Sequence, residues 1–92
     1  MLIEFLDYQN YHLIKVSRSS RQTISISYVP HNYNECHIII YNSASSNITI
    51  TLPSSVSGYT VRKNVSSITI AAGAFDEINV LRFSTELYIR AV

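Results

Sequence analysis

The sequence predicts an all-β fold: an antiparallel β-sandwich, jelly-roll-like or of a related topology, with about nine short strands and no substantial helix. Three observations predict it. Apolar and polar residues alternate over short runs, and these runs recur at roughly ten-residue spacing between clusters of Ser, Asn, Gly and Pro. No stretch carries a helical period of useful length. Ile, Val and Tyr outnumber Ala and Leu, which suits the pleated, half-buried surface of a strand. The 92 residues are read as one sandwich domain, 1–92. Folding should bury nearly two-thirds of a surface of roughly 15,000 Å², enough for a thin core.

The elements follow in chain order. Met1–Leu6 is apolar on both parities, with Leu2 and Leu6 on one and Ile3 and Phe5 on the other. Asp7–Asn10 breaks it, and Tyr11–Val16 is again two-sided, with Tyr11 and Leu13 opposite Ile14 and Val16. Such strands need cover on both faces, from a second layer or from a neighbouring subunit. After the basic loop Ser17–Arg21, Gln22–Val29 alternates cleanly, with Ile24, Ile26 and Tyr28 on one face. Pro30–Glu35 is a loop rich in turn formers.

Cys36–Tyr41 is the most apolar strand and is expected inside a sheet, and Asn42–Ser46 connects it to the strand of clearest pattern. In Asn47–Pro53, Ile48, Ile50 and Leu52 alternate with Asn47, Thr49 and Thr51. Pro53 lacks the N–H that a ladder needs and closes the strand. Tyr59–Arg62 turns Tyr59 and Val61 inward, and Ser67–Ala72 does the same with Ile68 and Ile70. Gly73 marks a corner, because glycine takes positive φ without steric cost. In Asp76–Phe83 the apolar parity changes from Ile78 and Val80 to Leu81 and Phe83, which predicts a β-bulge. Thr85–Ala91 ends the pattern, with Leu87, Ile89 and Ala91 on one face.

Composition narrows the function. Charged residues make up 14% of the chain, below the roughly 25% usual in globular domains. The net charge is +1, so there is little steering toward nucleic acid or an anionic membrane. A near-neutral surface favours association instead. No window approaches the length of a membrane span. The opening M-L-I-E-F-L-D has no basic region before its short apolar run, so it does not read as a signal peptide, and synthesis and folding are expected in a cytoplasm.

Cys36 is the one cysteine, which excludes an internal disulfide. The stretch His31–His37 gathers two His, one Glu and Cys36, but its spacing matches no established zinc pattern. Cys36 and His37 also point to opposite faces of a strand, so they can share neither a metal nor a nucleophile–base pair. Asp76 and Glu77 point apart in the same way and do not form a glycosidase pair. With two glycines there is no phosphate-cradling loop, and neither a nucleophile elbow nor HExxH occurs. No catalytic residue, cofactor or metal ligand is assigned, and the chain is not expected to be an enzyme.

Seven tyrosines and no tryptophan remain to be placed. Tyr28 and Tyr59 follow the inward parity and read as core. Tyr8, Tyr33 and Tyr88 fall in loops or on a polar face, and Tyr33 is the candidate ligand contact. Arg18, Arg21, Arg62 and Lys63 read as solvated charge spread over separate loops.

From Ile38 onward the runs I-I-Y-N-S-A-S-S-N-I-T-I-T-L-P, S-G-Y-T-V, S-S-I-T-I-A-A-G-A-F-D-E-I-N-V and L-Y-I-R-A-V resemble small β-domains of tailed-phage virion proteins, of the head-decoration, fibre or tail-appendage type. The resemblance covers about fifty-five residues and leaves 1–37 without a counterpart. It implies a non-enzymatic structural protein of the virion, often a homotrimer, contacting other virion proteins. The chain lacks the repetitive shaft of a fibre, so a decoration, connector or adaptor subunit fits best. The assembly contact is expected in the two-sided N-terminal segment, at Leu2, Ile3, Phe5, Tyr11, Leu13, Ile14 and Val16. The alternative is a free-standing module that binds a carbohydrate or a surface protein through Tyr33.

Overall fold

The computed structural model describes residues 2–4, 11–18 and 21–92, with the backbone alone for Leu2–Glu4, Ser27 and Tyr28. The expectations for Phe5 and Tyr8, and for the side chains of Leu2, Ile3 and Tyr28, lie outside the described residues. These residues form ten strands and no helix: β1 Leu2–Glu4, β2 Tyr11–Val16, β3 Gln22–Thr23, β4 Ser25–Tyr28, β5 Glu35–Asn42, β6 Ile48–Thr51, β7 Thr60–Lys63, β8 Ser67–Ile70, β9 Phe75–Phe83 and β10 Glu86–Ala91. The all-β reading holds. The predicted strand over Gln22–Val29 is two strands, divided at Ile24, whose N–H donates to the Thr51 carbonyl at 3.0 Å. The chain there passes from one sheet to another.

The ladders form a five-stranded sheet ordered β2-β5-β9-β10-β7, a three-stranded sheet β3-β6-β8 and a pair β1-β4. The sheets are mixed, which corrects the antiparallel expectation. β1-β4, β2-β5, β3-β6 and β7-β10 run parallel, whereas β5-β9, β9-β10 and β6-β8 run antiparallel. Alternation fixes which face a residue takes but not which strand lies alongside. Parallel neighbours need a crossover of a dozen or more residues. Here other strands make the crossover: β3 and β4 between β2 and β5, then β8 and β9 between β7 and β10.

One core cluster joins residues from several strands. Ile38 and Ile40 of β5, Ile78 and Val80 of β9 and Leu87 and Ile89 of β10 meet Ile48 and Ile50 of β6, Ile70 of β8, and Leu52 and Ile24. The face read from Asn47–Pro53 is thus the buried one. β5 lies inside its sheet, between β2 and β9, as its apolar content requires. Tyr59 and Val61 pack partly buried against the core. Gly73 sits in the turn before β9 with φ of 76°.

The predicted bulge in Asp76–Phe83 does not occur. β9 keeps an unbroken register with both β5 and β10. The change of parity has another cause: Ile78 and Val80 fill the core, while Leu81 and Phe83 lie on the opposite face of the same regular strand. A register shift is found instead in the β1-β4 pair, between Ile3 and Glu4.

A buried polar side chain fastens one end of the core. Asn42 is fully buried, its Nδ2 donating to the carbonyls of Ser46 and Ile70, both at 2.9 Å. Its Oδ1 accepts from the Ala44 N–H at 2.9 Å, and its backbone bonds with Ala74 and Gly73. A residue read as the start of a loop is therefore the last residue of β5 and ties together both turns at that end.

Candidate docking face

The inner face of the five-stranded sheet carries the core, so alternation turns a second set of side chains outward. Tyr11, Leu13 and Lys15 come from β2, and Glu35, His37, Ile39 and Tyr41 from β5. β9 adds Phe75, Glu77, Asn79, Leu81 and Phe83, and β10 adds Glu86, Tyr88 and Arg90. The face divides into three parts.

At one corner Leu13 stands across from Ile39, and Tyr41 from Phe75. With Ile14 and Lys15 they line a shallow apolar depression. Leu13 is 78% exposed and Phe75 71%. Between them Tyr41 is 38% exposed and Ile39 half-buried, and an apolar patch that spans three strands in this way is what an interaction surface looks like.

The middle is polar. His37 Nδ1 lies 2.9 Å from Glu77 Oε2 and 2.8 Å from Asn79 Oδ1, so it carries the proton and donates to these acceptors. Its Nε2 lies 3.8 Å from Glu35 Oε1, which also meets Arg90 Nη2 at 3.6 Å. The Tyr11 ring stacks on the imidazole at 4.7 Å between centroids. The Glu77 hydrogen bond, against partial desolvation and with help from Asn79 and the charges of Glu77 and Glu35, raises the His37 pKa above its usual range.

A group that holds its proton more tightly in the folded chain stabilises the fold while protonated. The contribution is complete below the ordinary histidine value of about 6.5 and is lost as pH rises through the raised one. Thermal melts at pH 6, 7 and 8.5 should show the wild type losing stability with rising pH relative to His37→Gln. Parallel pH profiles for the two proteins would contradict this role.

At the far corner Phe83 meets Tyr33 edge-on at 5.5 Å and Tyr88 edge-on at 5.7 Å. Tyr33 has φ of 64°, an uncommon conformation for a bulky residue, held by its N–H donating to the Arg82 carbonyl at 2.8 Å. Asn32 Oδ1 accepts from the Ser84 N–H at 2.6 Å, and Arg82 reaches the Pro30 carbonyl at 3.3 Å. The loop is thereby fixed to the β9-β10 hairpin. Arg82 itself takes the inward parity, with its guanidinium 5.2 Å from the centre of the Tyr59 ring.

Of the predicted assembly residues, Tyr11 and Leu13 are exposed, Ile14 packs against the core and Val16 lies within it. Val16 is thus turned away from any partner, whereas Ile14 packs partly against the core and also lines the depression beside Leu13. Ile39, Tyr41 and Phe75 join Leu13 at the corner although they are distant in sequence. Tyr33 is exposed, as a ligand contact requires. Cys36 is buried on the face opposite His37, and burial, then the Glu35 charge, pushes its thiol pKa up. Arg21 donates to the Thr51 hydroxyl at 3.1 Å, Arg62 pairs with Glu86 at 2.6 Å, and Lys63 reaches the Leu52 carbonyl at 3.5 Å. Among the described residues, no group of three or more His, Cys, Asp or Glu is arranged to hold a metal ion. Comparison with protein-family models, curated proteins and solved structures finds no match.

Proposed function

We propose that this chain is a non-enzymatic structural subunit of a bacteriophage virion, a capsid decoration, connector or fibre-type part, that works through protein–protein assembly. The observation that carries the reading is the exposed apolar corner at Leu13, Ile39, Tyr41 and Phe75. The partner fitted to it first is a second copy of the chain. A net charge of +1 gives copies little mutual repulsion, and Lys15 is the one charged residue among the described residues that line the depression. The resemblance of residues 38–92 to virion β-domains adds the particle and favours a trimer, with other virion proteins as further partners. We read the architecture as a two-layer sandwich of mixed sheets, since the five-stranded and three-stranded sheets contribute to one core. The parallel ladders favour this over a jelly roll, which is built from antiparallel strands.

The test is the particle itself. Mass spectrometry of particles purified from the genome that carries this gene should find the chain in fixed ratio to a head or tail protein. Particles free of the chain, with the protein confined to the soluble lysate, would overturn the reading.

A further inference from the structure

A cleft of about 420 Å³ lies at the corner of the outer face diagonal to Leu13 and Phe75. That volume falls within the roughly 300–1,000 Å³ of small-ligand sites. Its lining comes from β7, β9 and β10 and includes Arg62, Asn64, Leu81, Phe83, Tyr88 and Arg90. Leu81 and Tyr88 are cross-strand partners and form an apolar floor. Tyr88 is set by its edge-on contact with Phe83, which is braced in turn by Tyr33, so the aromatic surface is preorganised.

Donor groups line that floor, with the Glu86 carboxylate at its edge, where Oε2 accepts from the Tyr88 hydroxyl at 3.4 Å. Arg62 lies across the ladder from Tyr88 on β7, and Arg90 is two residues beyond it on the same face of β10. Arg62 is oriented by its Nε–H bond to Glu86 at 2.6 Å, and Arg90 only loosely by Glu35 at 3.6 Å. Both side chains are more than half exposed. Asn64 Oδ1 accepts from the Ala91 N–H at 3.3 Å, which leaves its amide N–H groups as donors. Lys63 also borders the cleft, with its Nζ turned to the Leu52 carbonyl and the Ser54 hydroxyl, and no acid is among the described residues that line the cleft.

We infer that this cleft is a binding site for an acidic sugar, a uronate-type unit of a polysaccharide. The C–H face of a pyranose packs on Tyr88 and Leu81, and the carboxylate takes a forked pair of hydrogen bonds from a guanidinium. Two arginines are too few for a nucleic-acid backbone, where affinity comes from many phosphate contacts. Phe75 and Phe83 are eight residues apart on β9, about 27 Å at 3.3–3.4 Å per residue, so the site is separate from the docking corner.

Isothermal titration of the full chain with a glucuronate oligosaccharide, a neutral oligosaccharide of equal length and a glutamate peptide tests the inference. The uronate should bind saturably and at least tenfold more tightly than either of the other probes. Tyr88→Ala and Arg90→Gln should each weaken it at least tenfold, while a Leu13→Asp, Phe75→Asp variant should bind as the wild type does. Arg90→Gln changes an exposed side chain and serves if Tyr88→Ala does not fold. No saturable binding, equal binding of the neutral sugar or the peptide, or indifference to Arg90→Gln would overturn it.

Discussion

Asn42→Ala should cost about 3–5 kcal/mol of stability, a large share of the roughly 5–14 kcal/mol expected for a chain of this length. The residue is fully buried, and its amide satisfies the carbonyls of Ser46 and Ile70 and the N–H of Ala44. Removing the side chain strands three backbone groups at the end of the core, each worth about 1–3 kcal/mol when left unpaired. Partial access of water near Ser46 and Ala44 keeps the total below the upper sum. Urea denaturation should show a lower midpoint with an unchanged slope. Asn42→Asp tests the same geometry differently: it keeps the acceptor for Ala44 but places a second acceptor oxygen against two carbonyls, and should be at least as damaging. A loss below 1 kcal/mol for Asn42→Ala would mean that the two turns hold themselves.

The second large effect concerns association rather than folding. Leu13→Asp combined with Phe75→Asp should weaken self-association at least a hundredfold while leaving the β-sheet circular dichroism unchanged. Both side chains are among the most exposed large hydrophobics of the described residues, so neither substitution opens the core, and surface changes of this kind are usually within 0.5 kcal/mol of neutral. The pair also places two carboxylates in a depression that must lose water on docking, which is strongly unfavourable for unpaired charge. Ile14→Asp is a poor probe for the interface, because Ile14 packs against the core as well as lining the depression, and a charge there would destabilise the fold along with the contact. Sedimentation equilibrium on the double variant and on Leu13→Ala separates the added charge from the lost apolar contact. Unaltered association in the double variant would place the contact elsewhere.

These two sites differ in how far the sequence reveals them. The faces of the strands are legible because their period is two. Ile48, Ile50 and Leu52 read as buried and are buried, as are Leu87 and Ile89. The two-sided pattern of Tyr11–Val16 corresponds to one face turned outward, with Tyr11 and Leu13 exposed, and one turned to the core, with Ile14 and Val16. Neighbours are not legible. Nothing in Tyr11–Val16 shows that it lies parallel to Glu35–Asn42, and without that pairing Leu13 cannot be placed beside Ile39 or Phe75.

The same gap explains the misread β9. Its change of parity is a strand apolar on both faces, which imitates a bulge when the outer layer of aromatics is not known. Asn42 is hidden for a chemical reason: its amide serves equally well in an exposed turn and as a buried satisfier of backbone groups. The cleft beside Tyr88 draws Arg62, Leu81 and Arg90 from three strands, so no local motif announces it.

Light scattering coupled to size exclusion, on the wild-type chain over a hundredfold range of concentration, tests the central claim most directly. If the corner at Leu13 and Phe75 joins copies of the chain, the measured mass should be a whole multiple of 10.4 kDa, with a trimer favoured, and should fall toward that value on dilution or in the double variant. A mass of 10.4 kDa at every concentration would contradict self-assembly through this face.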